Sequence, residues 1–229
     1  HLVLFHRDPA MNAPVWLFDL DNTLHNADAA IFLLINPAMT DYLAGRLNLS
    51  HDEASAIRED YWHRYGATLA GLQIHHPEID IAEFLAESHP MPQILEKLTP
   101  VERTQTLLGR LKGRKAVFSN GPSFYVQAII ENLGIHPYFD LLAGTDDFGF
   151  LYKPNRQAYL TVCQLLEATP QNCIMVDDNA DNLYAAKQLG MRTAWFGRKA
   201  HELPFVDCAA HDMAALENWA AQQGWLEAV

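Results

Sequence analysis

The chain has 229 residues, 49% of them hydrophobic, enough for one large domain or for a core carrying a smaller insert. Its formal net charge of -12 sets nucleic-acid polymers and membranes aside as partners, because such a surface repels both; a local cation still admits a small phosphorylated ligand. No apolar run is long enough to span a bilayer, and the three cysteines lack CxxC spacing and read as buried thiols of a reducing compartment, so a cytoplasmic location is expected.

Residues 1–10 hold only the short apolar run Leu2 to Phe5 and no small-residue cleavage site. They read as a tag or upstream segment before Met11, not as a secretory signal. Val15 to Phe18 is an apolar strand that runs into Asp19-Leu20-Asp21-Asn22-Thr23. Strand alternation predicts that Asp19 and Asp21 point the same way at its end. Adjacent carboxylates repel, and burying them is costly without a cation. The pair therefore reads either as a solvated strand end or as a metal-holding site that does chemistry.

Residues 26–98 show no strand run. Helical stretches are expected at Ala30 to Leu47, Ser50 to Tyr65 and Ile81 to Glu87, and Ser50 with Glu53 has capping-box spacing. From residue 115 strands and helices alternate. Lys115 to Ser119 is a strand, Ser123 to Leu133 a helix closed by Gly134, and Leu141 to Gly144 a short strand. Pro154 is expected to open a helix running to about Ala168. Cys173 to Val176 is a buried strand ending in Asp177-Asp178-Asn179. Ala180 to Leu189 is a helix, Arg192 to Phe196 a strand, Asp207 to Ala210 a last short strand, and Asp212 to Gln223 a helix. This order predicts an α/β fold: a doubly wound parallel sheet with an inserted all-helical domain. The expected division is a core of residues 11–25 and 99–229 with a helical cap of residues 26–98.

Four patterns sit at or beside strand ends: Asp19-x-Asp21-x-Thr23, Ser119-Asn120-Gly121, Lys153-Pro154 and Asp177-Asp178. Each has an ordinary explanation alone: a turn serine, a solvated lysine, an N-cap pair. In a doubly wound sheet, however, the carboxyl ends of the strands meet in one crevice, which would gather all four.

In this order the four patterns resemble the haloacid dehalogenase superfamily of phosphotransferases, over nearly the whole chain from Val15. The resemblance implies a Rossmann-like core and a phosphomonoester hydrolase working through an aspartyl-phosphate. Asp19 would be the nucleophile, and Asp21 the general acid and then base. Asp19, the Asp21 backbone carbonyl and Asp178, with Asp177 beside them, would hold Mg²⁺. Ser119, with the backbone N–H groups of Asn120 and Asn22, would bind phosphate oxygens, and Lys153 would neutralise charge on Asp19 and the phosphoryl group. Thr23 would brace the turn. Superfamily members that attack carbon resemble this site without the second aspartate, so Asp21 favours phosphoryl transfer.

The helical insert falls where that superfamily carries a C1-type cap, with hinges expected near Asn22 to Ala27 and Glu96 to Glu102. Asp60 to Gly66, Gly71-Leu72 and His75-His76-Pro77 resemble the cap of the pyrimidine 5′-nucleotidase branch. Tyr61, Tyr65 and His76 would contact a base there, while plain packing explains Tyr61, Trp62 and Tyr65 equally simply. The expected substrate is a nucleoside 5′-monophosphate, pyrimidines preferred. A phosphatase or phosphomutase for sugar phosphates shares every core motif, and a non-catalytic binding domain is the remaining alternative. The expected partner is a small phosphorylated metabolite, with the oligomeric state left open.

Overall fold

The computed structural model describes residues 13–228. Its core is a six-stranded, wholly parallel sheet: β1 (Val15–Phe18), β2 (Lys115–Phe118), β3 (Leu141–Ala143), β4 (Cys173–Asp177), β5 (Arg192–Phe196) and β6 (Cys208–Ala210). The spatial order is β3-β2-β1-β4-β5-β6, so the winding reverses around β1. Parallel strands need crossovers, and these put helices on both faces. The central strands are accordingly buried along their whole length.

Alternation sorts the strand residues into two layers. Trp16, Phe18, Val117, Ile174 and Val176 pack with α6 (Thr104–Arg110), α7 (Ser123–Asn132) and α10 (Met213–Gln222). Val15, Leu17, Ala116, Phe118 and Met175 pack with α8 (Arg156–Leu165) and α9 (Ala180–Gln188). Trp16 anchors the first layer, with Trp219 and Trp225 edge-on to its ring. Burying a large apolar side chain of this kind contributes about 2–3 kcal/mol.

Between β1 and β2 lie α1 (Phe32–Leu47), α2 (His51–Tyr65), α3 (Thr68–His75), α4 (Ile81–Ser88) and α5 (Met91–Glu96). The Ser50–Glu53 capping box is present at the start of α2. Tyr42, Leu43, Tyr61, Leu72 and Phe84 form a separate apolar cluster, joined by Tyr152 from the loop before α8. The two connections to this layer run side by side: the Asn26 N–H donates to the Thr99 carbonyl at 2.7 Å, and His25 forms an antiparallel bridge with Pro100.

Three expectations differ in detail. Helices α3, α5 and α6 were not anticipated; at 8, 6 and 7 residues they are too short for a helical period to stand out. Helix α8 begins at Arg156, because Asn155 caps it by accepting the Gln157 N–H, and Pro154 lies ahead of the cap. Asn179, not the Asp177-Asp178 pair, caps α9 by accepting the N–H groups of Asp181 and Asn182. Among the described residues no helix is long and apolar enough to cross a membrane.

Candidate active site

The strand register assembles the site. Phe18 pairs with Val117 on one side and Val176 on the other. One step further Asp19 leaves β1 with its N–H donating to the Val176 carbonyl at 2.8 Å, which sets it level with Asp177. Ser119 follows β2, and Lys153 reaches in from the loop ahead of α8.

Lys153 is buried and ties the two acids together: its Nζ donates to Asp19 Oδ1 and to Asp177 Oδ2, each at 2.8 Å. The Phe118 ring lies 5.0 Å from the same ammonium. Burial alone would lower the lysine pKa, but Asp177 and Asp19 outweigh it and push the pKa up. Asp19 moves up as well, first through desolvation and then through repulsion by Asp177, which Lys153 only partly offsets. Thr23 Oγ1 lies 3.4 Å from Asp19 Oδ2, at the long end of a hydrogen bond.

Asp177 is fully buried and fully engaged: Oδ1 accepts the Asn179 N–H at 2.9 Å, and Oδ2 accepts Asn182 Nδ2 at 3.2 Å besides Lys153. Asp178 keeps some exposure, and its carboxyl is pushed up to about 6 by desolvation and by Asp177. Oxygens of Asp19, Asp177 and Asp178 lie within 4.8 Å of one another. Three hard oxygen donors, carrying more negative charge than the Lys153 ammonium balances, suit Mg²⁺ in both donor type and charge.

The other expected residues take definite places. Ser119 is buried and its Oγ accepts the Gly121 N–H at 3.0 Å. The Asn120 side chain does something the sequence did not suggest. Its Oδ1 accepts the Lys153 N–H at 2.7 Å and its Nδ2 donates to the Lys153 carbonyl at 3.1 Å, clamping the lysine backbone. Asn22 adopts a left-handed φ of 61° and accepts the Asp28 N–H on Oδ1 at 3.0 Å, closing the turn after β1.

Strand alternation does not reach Asp21, because β1 ends at Phe18. The chain turns after Asp19, with the Leu24 N–H donating to the Leu20 carbonyl, so Asp21 is placed by a turn and not by the pleat. The acids gathered around Asp19 are Asp177 and Asp178; Asp21 Oδ1 instead accepts the Tyr125 hydroxyl at 2.7 Å and lies 2.6 Å from His25 Nε2. Tyr125 and His25 were not singled out in the sequence, though each stands four residues after a motif residue, Gly121 and Asp21 respectively.

In the helical layer the Tyr61 hydroxyl and His76 Nε2 are 3.0 Å apart, as are Tyr65 and His75 Nε2 at 2.6 Å. Tyr61 is 7% exposed and stacks on His75 with ring centroids 5.1 Å apart. Its back rests on Gly71, where a Cβ would come within 2.2 Å of the ring. Tyr61 therefore follows the packing reading, and Tyr65 and His76 are the more open members. Trp62 is exposed and packs edge-on against His63. Gln73 of α3 accepts the Tyr152 hydroxyl at 3.3 Å, a contact between the helical layer and the residue next to Lys153.

A doubly wound parallel sheet with an acidic, lysine-bridged site at its switch point defines an α/β protein whose chemistry sits at the strand ends. The haloacid dehalogenase-like hydrolase family model matches residues 15–190, and the chain belongs to that family. Phosphate metabolism protein 8 of Saccharomyces cerevisiae is 27% identical over 201 residues, covering 80% of this chain. The chain spans 61% of that protein's length. Pyrimidine 5′-nucleotidase YjjG of Escherichia coli is 24% identical, covering 82% of this chain and 88% of its own. Other matching relatives are named as phosphatases, and one as an (S)-2-haloacid dehalogenase. The crystal structure of a HAD phosphatase from Thermococcus onnurineus superposes with a TM-score of 0.66 at 21% identity, covering 93% of this chain and 98% of the other. At that identity the likeness speaks to the fold.

Proposed function

We propose that this protein is a Mg²⁺-dependent phosphomonoester hydrolase that works through an aspartyl-phosphate on Asp19. The observation that carries the reading is the buried Lys153 ammonium, 2.8 Å from Asp19 and from Asp177, with Asp178 completing the acidic group. Such a site has a nucleophile, a fixed cation and a hard-metal donor set in one crevice.

In this reading an Asp19 oxygen attacks phosphorus while the ester P–O bond breaks, and Asp21 gives its proton to the departing oxygen. Asp21 then takes a proton from water, whose oxygen attacks phosphorus; the bond to Asp19 breaks and inorganic phosphate leaves. Lys153 holds Asp19 Oδ1 in place and supplies positive charge where two anions meet. Ser119 and the N–H groups of Asn120 and Asn22 are the proposed phosphate donors. Mg²⁺, held by Asp19, Asp178 and the Asp21 carbonyl with Asp177 beside them, would screen the repulsion between nucleophile and phosphate.

Residues 26–98 act in this proposal as a cap over a core of residues 11–25 and 99–229. Closure would exclude water and bring Tyr65 and His76 toward the substrate. A nucleoside 5′-monophosphate, with pyrimidines preferred, is the proposed substrate; likeness to the E. coli nucleotidase supports it. A second reading, a small sugar- or carboxylate-phosphate ester, is favoured by relatives named glyceraldehyde 3-phosphate phosphatase and phosphoglycolate phosphatase. The test is Mg²⁺-dependent phosphate release from UMP, CMP, AMP, GMP, sugar phosphates and phosphoglycolate. Preference for UMP and CMP is expected. Turnover of the other esters alone would move the substrate to the second reading, and no release from any would overturn the proposal.

A further inference from the structure

Asp21 is held by an arrangement with more structure than a proton donor at a crevice mouth requires. Its side chain is 23% exposed, yet both of its partners are buried: Tyr125 at 1% and His25 at 0%. The two converge on one oxygen. The Tyr125 hydroxyl donates to Oδ1 at 2.7 Å, and His25 Nε2 approaches the same Oδ1 at 2.6 Å. A carboxylate oxygen can only accept here, so the imidazole proton sits on Nε2. Nδ1 is buried and has no hydrogen-bond partner among the described residues, so the Asp21 contact is the ring's polar anchor.

Both donors are fixed from behind. The His25 backbone is bridged to Asp21 and to Pro100. The Tyr125 ring lies over Gly121, where a Cβ would come within 2.8 Å of it, and against the His89 ring at 5.4 Å. A buried tyrosine hydroxyl and a buried histidine both need partners, and each finds it in Asp21.

We propose that Tyr125 and His25 are positioning residues that hold Asp21 by Oδ1 and leave Oδ2 as the oxygen that carries and transfers the proton. Two donors on Oδ1 disfavour a proton there, so a protonated Asp21 carries it on Oδ2. That proton passes to the ester oxygen as the P–O bond breaks and its electron pair leaves with the alcohol. The inference rests on the phosphatase reading and adds two residues that touch neither phosphate nor metal.

The test compares an alkyl ester, UMP or glycerol phosphate, with p-nitrophenyl phosphate, whose leaving group needs no proton. Tyr125→Phe removes one oxygen, and His25→Gln keeps a donor of different reach. Each is expected to lower the single-turnover rate of alcohol release, the step before water attacks the aspartyl-phosphate, about tenfold on the alkyl ester, with a loss below about threefold for release of p-nitrophenol. Combined with Asp21→Asn, Tyr125→Phe should add no further loss, because it acts through Asp21. Thermal unfolding identifies a variant that fails to fold, and the other variant then carries the comparison. Equal losses on both esters, or additive losses in the double variant, would overturn this inference alone. A wild type that releases phosphate from no ester, the phosphoglycolate and sugar phosphates of the substrate panel included, would overturn the phosphatase reading together with it.

Discussion

At Lys153 two large terms oppose each other. Removing an ammonium and two carboxylates from water costs several kcal/mol per ion, and only their mutual contacts at 2.8 Å offset it. Replacing the lysine by methionine leaves Asp19 and Asp177 facing each other without a cation. Lys153→Met should therefore lose about 3–5 kcal/mol of stability at neutral pH, measured by denaturant unfolding in chelator, and should lose turnover as well. Asp19→Asn should abolish phosphate release, and Asp21→Asn should lower it by about 10²-fold or more on alkyl esters, both read by steady-state assay. Asp19, Ser119 and Asp177 were legible because strand ends converge by topology, whereas Lys153 follows no strand end and was legible through the resemblance of the four motifs taken together. Tyr125 and His25 were not legible: their bonds to Asp21 depend on how a turn redirects one carboxylate, and no periodicity encodes that.

At the scale of elements, strands and long or capped helices were readable and short uncapped helices were not. β5 (Arg192–Phe196) matches its expected bounds, and the capping box at Ser50 sets the start of α2. Helices α3, α5 and α6 are 8, 6 and 7 residues long, shorter than the stretch over which a helical period can be read, and none has a side-chain N-cap. The contact of α2 with α3 turns on Gly71, whose missing side chain lets the Tyr61 ring lie on the α3 backbone. Gly71→Ala places a methyl where the ring now sits. It is expected to cost about 1–3 kcal/mol, visible as a lowered Tm, and to disturb the Tyr61–His76 contact.

For the whole molecule, the acidic group couples stability to pH. Asp178 has a folded-state pKa near 6 against an ordinary 3.8, so it binds its proton more tightly folded than unfolded. Its contribution is therefore fully present below about pH 4 and is lost as pH rises through about 6. In chelator, the stability of wild type relative to Asp178→Asn should fall across that window, and added Mg²⁺ should reverse the fall at neutral pH. Denaturant unfolding of both proteins at several pH values checks this, and a flat difference would contradict it.

Tyr152 belongs to the apolar cluster of the inserted helices, while its chain neighbour Lys153 belongs to the charged centre. One peptide unit thus joins the apolar cluster of the inserted helices to the charged centre at the strand ends. Grafting a foreign insert between residues 25 and 99 would strand Tyr152 against the wrong partner and strain the lysine beside it. Chimeras should keep wild-type Tm and turnover only when the loop of residues 150–152 travels with the helices, because the insert's packing is specified by two separate stretches of the chain.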